Sequence, residues 1–197
     1  MIQPIFSNNF YSLISAPNKD EIFETLKNIK VDRKATDKIS WNAACEVEVE
    51  VLDKHSCADF LLPSINMFLS EMGCGNKRVP FQLLAIWKNT YHKGGFQELH
   101  DHIGGDGVSE FHLSGCFFLE DFDPNGGKFY FYNRHLSELN SVWRAFREAA
   151  DHVYASHVIE PKAGDMIFFP SYMLHGVTVH PLRKPRRTLS FNIQMMV

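Results

Sequence analysis

Apolar and polar positions change rhythm along this chain near Pro80. Before it, two stretches repeat at helical spacing. Ile22, Phe23, Leu26 and Ile29 form one face of a helix, and Asn18, with Glu21 three residues on, predicts its capped start. From Ala58 to Met72, Phe60, Leu61, Ile65, Phe68 and Leu69 form another such face, which Gly73 and Gly75 end. Pro63 falls inside that run, and proline is favoured in a first turn, so the helix is expected to begin there. Ile2, Ile5, Phe6, Phe10 and Tyr11 predict an opening strand over residues 2–12. Cys45 to Val51 alternates strictly, the pattern of an edge strand with Glu46, Glu48 and Glu50 turned outward. Three carboxylates on one face also suit a metal, but a solvated strand face accounts for them.

After Pro80 the period becomes that of strands. Strands are predicted over 81–91, up to His100 and His102 after the turn at Lys93-Gly94-Gly95, over 111–119, over 128–132 after Asp123-Pro124-Asn125-Gly126-Gly127, over 157–161 and over 166–169. A last hairpin is expected to run from His175–Val179 through Pro181–Pro185 to Arg186–Met195. Residues 137–151 break the series with a helical stripe of Leu139, Val142, Trp143 and Phe146 behind Ser137, an insertion placed to shape access to a barrel mouth. The fold class is mainly β with flanking helices, a jelly roll. With no repeat or linker, one domain is expected over 1–197, with 1–80 as a helical flank on the sheet and 81–197 as the jelly-roll core.

Composition narrows the partners. The chain has 197 residues, enough for a proper core, and its 17 Phe fall largely in short runs that suit strands. A net charge of −3 spread along the chain gives no reason to expect nucleic acid or a membrane surface. The four cysteines, Cys45, Cys57, Cys74 and Cys116, show no C-x-x-C spacing, which reads as scattered reduced thiols and argues against a zinc finger. The N-terminus lacks the pattern of a signal peptide and no stretch has the length of a membrane helix, so the expected location is the cytoplasm.

The chemistry sits in the histidines. His100 and His102, two apart, face one side of an extended strand, and each neutral imidazole offers one nitrogen lone pair to a transition metal. Among ten histidines some pairs fall two apart by chance. His175, which follows Phe169-Pro170-Ser171, and Arg186 eleven residues further on make chance a poorer account. His92, His135, His152, His157 and His180 have no evident partners and are expected at the surface.

At this point the residues carry a resemblance. Trp87-x-Asn89-x-Tyr91, Gly95-x-Gln97-x-x-His100-x-His102, His112-Leu113-Ser114-Gly115-Cys116-Phe117-Phe118 and Gly126-Gly127-Lys128-Phe129-x-Phe131 resemble the first half of small bacterial and phage iron(II)/2-oxoglutarate oxygenases of the prolyl-hydroxylase-like kind. Pro161-x-Ala163-Gly164-Asp165, Phe169-Pro170-Ser171-x-x-x-His175-x-Val177 and Arg186-x-Thr188-x-Ser190-Phe191-Asn192 resemble the second half. The resemblance implies a double-stranded β-helix, Fe(II), 2-oxoglutarate as cosubstrate and O2. It implies hydroxylation of a C–H bond on a protein side chain, prolyl being one option, or on a small molecule, with succinate and CO2 released.

The physical requirements agree with that reading. Three facial protein ligands, His100, His102 and His175, leave three metal positions for a bidentate 2-oxo acid and O2. The far carboxylate of the cosubstrate needs a buried cation, and an arginine fork suits it. Arg186, Thr188, Ser190 and Asn192 share one strand face, so Arg186 is the expected anchor, with Thr188 and Ser190 as hydroxyl donors and Arg187 outside. A register error of one residue would exchange the arginines. If the last strands form a hairpin, Arg186 lies opposite Val179, roughly 13 Å of backbone from His175 at ~3.3 Å per residue. Asn89, Tyr91, Phe118 and Asn192 are candidate pocket-lining residues, Trp87 sharing a face with the first two, although a core role fits these equally. His112 is read as a packed strand residue.

The chain departs from the usual pattern at three places, one being a Gly-rich loop between His102 and His112 that is longer than expected. Where the wider superfamily has His-x-Asp or His-x-Glu, His102 occupies the carboxylate position, with Asp106 and then Asp101 as rival ligands. Phe118 stands where prolyl hydroxylases of this type often carry a tyrosine. The competing functions are a three-histidine cupin-like dioxygenase that uses no 2-oxoglutarate, and a non-catalytic metal- or sugar-binding jelly roll. Substrate and oligomeric state are left open.

Overall fold

A computed structural model of the chain describes residues 9–74, 79–103, 111–134 and 156–196. Among these residues ten strands, β1 (Ser12–Ser15), β2 (Val47–Val51), β3 (Phe81–Tyr91), β4 (Gln97–His100), β5 (Leu113–Phe118), β6 (Phe129–Tyr132), β7 (Ser156–Val158), β8 (Asp165–Pro170), β9 (His175–Val177) and β10 (Arg186–Met195), form two sheets. The larger has the order β1-β8-β5-β10-β3-β2 and the smaller β4-β9-β6-β7. Every pairing is antiparallel.

The larger sheet is covered on both faces, and that explains the phenylalanine runs. Strand side chains alternate, so each Phe-Phe pair puts one ring on either side. Phe117 and Phe168 join the outer core with Leu189 and Phe191, under helices α1 (Lys19–Asn28) and α3 (Lys54–Glu71). Phe118 and Phe169 join the inner core between the sheets, with Val47, Val49, Phe129, Phe131 and Val177. The expected edge strand is β2: Val47 and Val49 are buried, whereas Glu48 is exposed and faces His92. A short helix, α2 (Arg33–Thr36), and a 3-10 turn (Trp41–Cys45) lead into it.

Several expectations are corrected. α3 begins at Lys54, not at Pro63, because Asp53 caps it by accepting from the backbone N–H of His55 and the hydroxyl of Ser56. Pro63 lies in its interior. Asn18 does precede α1, but its side chain caps nothing there; the amide donates to Glu21 and to the Phe60 carbonyl on α3. The opening strand is confined to Ser12–Ser15 within the described residues, paired to β8. The expected helix at 137–151 and residues 2–8 lie outside the described residues.

The largest correction concerns the last two strands. β9 and β10 do not pair: β9 lies in the smaller sheet between β4 and β6, and β10 at the centre of the larger between β5 and β3. Thr178 and His180 donate their backbone N–H groups to Lys128 and Gly95, so the chain keeps its bonds to neighbours of the smaller sheet before it crosses. Pro181 and Pro185, without N–H groups, cannot extend a ladder in the crossing segment. The estimate of 13 Å therefore described a pairing that does not form.

Gly115 sits opposite Phe191 on β10. A Cβ there would lie 2.2 Å from the Phe191 ring and 2.9 Å from the Ile167 carbonyl, and Phe191 is fully buried. Gly115→Ala should therefore lower stability by about 1–3 kcal/mol, an overpacking cost, measured as a reduced urea midpoint at unchanged slope.

Candidate metal centre

His175 stands in the middle strand of the smaller sheet and is 5% exposed, its ring packed against Phe129, Phe131 and Phe169. His100, the last residue of β4, is its register partner, with ring centroids 4.3 Å apart. His102 lies beyond the strand, since β4 ends at His100, yet its ring reaches within 5.2 Å of His100 and 5.0 Å of His175. Its backbone N–H donates to the Ser171 carbonyl. One ligand nitrogen from each histidine lies within 4.8 Å of the others.

Hydrogen bonds select the nitrogen that faces the centre. His100 Nδ1–H donates to the Glu98 carbonyl at 2.8 Å and His175 Nδ1–H to the Met173 carbonyl at 2.8 Å. His102 Nδ1–H donates to Asn192 Oδ1 at 2.7 Å. Ser114, 2.8 Å from the same ring nitrogen, donates to Asn192 Oδ1 and meets Ser171. With each proton on Nδ1, Nε2 is the lone-pair nitrogen, the arrangement that orients histidines on a metal. Burial pushes His102 down to about 4 and His175 well below the usual histidine range, with the neighbouring histidines adding to both. Both rings thus stay neutral near pH 7, as ligation needs. The residues present fit a divalent transition metal.

The inner face of β10 leads away from this cluster. Asn192, Ser190, Thr188 and Arg186 follow one another, opposite Ala85, Trp87, Asn89 and Tyr91 on β3. Arg186 lies 5.1 Å from the Tyr91 ring centroid and 5.9 Å from that of Phe118. Among the described residues its buried Nη1 has no hydrogen-bond partner, and neither has Asn89 Oδ1. Asn89 donates to Ser190 at 3.0 Å. Burial pushes the Tyr91 hydroxyl up, the Arg186 guanidinium opposing it. Arg187 points the other way, and its backbone N–H and Nε each donate to Glu120 at 2.7 Å. The strand parity expected for the two arginines is the one observed.

One cavity of about 550 Å³ joins the two ends. The three histidines, Asn89, Tyr91, Arg186, Thr188, Ser190 and Asn192 all line it, with Trp87 and an apolar wall from Ile39, Val49, Val51 and Ile103. Phe118 lies behind the guanidinium, on a second cavity rather than this one. Asp101 turns outward to Arg134 and to the Ile103 N–H. Asp106 lies outside the described residues. His112 accepts from the Met195 N–H at the sheet margin. His180 corrects the surface expectation: it is 3% exposed, Gly127 N–H donates to its Nδ1, and its Nε2–H donates to the Lys184 carbonyl.

Sequence reasoning missed Ser114 on β5 and Ser171 just after β8, which support His102, and the pair in which the Cys45 thiol donates to the Glu98 carboxylate at the cavity wall. Only strand register brings these together. The thiol bond holds the Glu98 carboxyl below its usual range.

Residues 85–192 match a family model for 2OG-Fe(II) oxygenases. The chain belongs to that family. It is an iron(II)- and 2-oxoglutarate-dependent oxygenase, and iron, 2-oxoglutarate and O2 are its cofactor and cosubstrates. This decides against both competing functions. Among solved structures, the oxygenase is similar to a 2OG-Fe(II) oxygenase-family oxidoreductase from Burkholderia pseudomallei, with TM-score 0.60 and 12% identity over 93% of this chain and 84% of that one. HygX from Streptomyces hygroscopicus, solved with nickel and 2-oxoglutarate, gives 0.60 and 12% over 95% and 83%. A prolyl-4-hydroxylase from Pseudomonas putida gives 0.57 and 18% over 95% and 93%. At such identities the likeness shows the fold, the double-stranded β-helix. No curated protein sequence matches the chain. Among the described residues no helix is long and apolar enough to cross a membrane.

Burial raises the thiols of Cys45 and Cys116 to about 11 and that of Cys57 to about 12. A raised pKa depletes the thiolate, the reactive form. In a thiol titration of the native oxygenase at pH 8, half-buried Cys74 should react first and these three only on unfolding.

Proposed function

We propose that the oxygenase hydroxylates an unactivated C–H bond of a protein side chain or small molecule, with iron held by His100, His102 and His175 and the far carboxylate of 2-oxoglutarate held by Arg186. The observation that carries this reading is the buried Arg186 Nη1, without a partner among the described residues, on the wall of the cavity that the three histidines also line. A buried guanidinium nitrogen without an acceptor is costly, and a ligand carboxylate removes that cost.

Bound iron and 2-oxoglutarate supply the O2 activation, in which one oxygen atom enters the substrate C–H bond and the other the succinate left after CO2 loss. The protein's own part is positional. Asn192, with Ser114 behind it, keeps the His102 proton on Nδ1 and its ring turned to the centre. Arg186 sets the cosubstrate's direction along β10, and Thr188 and Ser190 add hydroxyl donors beside it. The wall of Ile39, Val49, Val51 and Trp87 limits water around the reacting carbon. Prolyl peptides remain one substrate class for this site, on the resemblance to prolyl hydroxylases; small molecules are the other.

Arg186→Ala should weaken 2-oxoglutarate binding by about 3 kcal/mol, more than a hundredfold, because it removes one half of a buried charge pair. Anaerobic calorimetry should find Fe(II) binding retained. Arg187→Ala, which severs only the outward pair with Glu120, should leave 2-oxoglutarate binding within about threefold of the parent. The reverse pattern contradicts the assignment.

A further inference from the structure

Near the histidines, the cavity wall carries a carboxylate that the proposed iron and 2-oxoglutarate sites do not use. Glu98 is the only acidic residue among the described residues that line the cavity. Its oxygens lie outside the group of donor atoms that the three histidines form, so it is not part of the metal set. The ladder between β4 and β9 is irregular between Gln97 and His100, and the cavity is lined by Gln97, Glu98 and His100 together. Such irregularities next to active sites re-aim side chains.

The carboxylate is also held in place. Its Oε2 accepts the Cys45 thiol and the Gln97 amide, and Cys45 is 2% exposed. Cys45 is delivered by a constrained turn: Glu46, directly after it, is the only non-glycine residue with positive φ among the described residues, at 55°. The Phe96 N–H then donates to the Cys45 carbonyl, which docks the turn against the start of β4. Oε2 is occupied twice, and Oε1 accepts no hydrogen bond among the described residues. Arg186 is the cavity's one Lys or Arg side chain among these residues. Ile39, Val49 and Val51 give the cavity an aliphatic wall, beside polar and aromatic lining from Asn89, Ser190 and Trp87.

We propose that Glu98 is the specificity group for the primary substrate, and that this substrate presents an alkylammonium group to it while its aliphatic chain lies along the Val49–Val51 wall toward the iron. The inference rests on the oxygenase reading above and names its substrate class. A protonated amine at the end of an alkyl chain belongs equally to a free amine and to a lysyl side chain. Cys45 is a positioning residue that acts through Glu98.

The test uses the full chain loaded with redox-inert Zn(II) and 2-oxoglutarate, titrated with hexylammonium and with 1-hexanol as its neutral counterpart. Hexylammonium should bind about tenfold more tightly, the worth of one charge-assisted hydrogen bond at a partly solvated site. Glu98→Gln should erase that preference without weakening hexanol binding. Cys45→Val should reduce the preference and Cys45→Ser should restore it, which a purely structural thiol would not do. Equal binding of the two probes by the parent protein, or a preference that survives Glu98→Gln, overturns the proposal. Absence of metal-dependent 2-oxoglutarate binding in the same titration would instead count against the oxygenase site itself. With Fe(II) and O2, succinate release stimulated by hexylamine or by a capped Ala-Lys-Ala peptide identifies the source of the amine. Stimulation by a capped prolyl peptide alone overturns the proposal.

Discussion

His102 belongs to no strand, and its ring is oriented by a hydrogen bond between the two sheets. β4, which ends two residues earlier, is an outer strand of the smaller sheet, whereas Asn192 lies on β10 at the centre of the larger one. The 2.7 Å bond from His102 Nδ1–H to Asn192 Oδ1 therefore crosses the barrel. Ser114 from β5 and Ser171 from the segment after β8 close the network around it, both 1% exposed. Buried polar networks of this kind confer specific geometry only when every member is satisfied. Here that condition sets the ring's tautomer and its direction together.

The same strand, β10, carries the other end of the site. Its inner positions run from Asn192 beside the histidines to Arg186 beside Tyr91, while its outer positions Leu189, Phe191 and Ile193 are fully buried under the helices. A slip of one residue would bury Arg187 and expel the leucine and phenylalanine, so the outer core fixes the register of the inner site. Charge follows the same division. Desolvation keeps buried His175 and half-buried His102 neutral at one end, and at the other lies a guanidinium with a nitrogen unsatisfied among the described residues.

Much of this was legible in the residues because alternation is a local property. The strict pattern of Val47–Val51, the Phe-Phe pairs and the parity of Arg186 against Arg187 each follow from a side chain having two faces to choose between. What escaped was non-local. Nothing near His175 announces that β9 and β10 occupy different sheets; that depends on Thr178 and His180 bonding to segments far away in the chain. Pro63 misled because Asp53, ten residues earlier, is the stronger start signal. His180 looked solvent-exposed because its partners, Gly127 and Lys184, are an amide and a carbonyl that side-chain reading cannot see. Ser114, Ser171 and the Cys45–Glu98 pair became site residues only once register placed them.

Three neutral imidazoles, with no protein carboxylate, are the ligand set proposed for the iron. X-ray absorption at the iron edge of the anaerobic Fe(II)·2-oxoglutarate complex counts imidazole ligands directly through their outer-shell scattering. Three imidazoles in the parent protein, falling to two in His102→Ala, is the predicted result. Two imidazoles in the parent, unchanged in His102→Ala and accompanied by loss of iron in Asp106→Ala or Asp101→Ala, would contradict it.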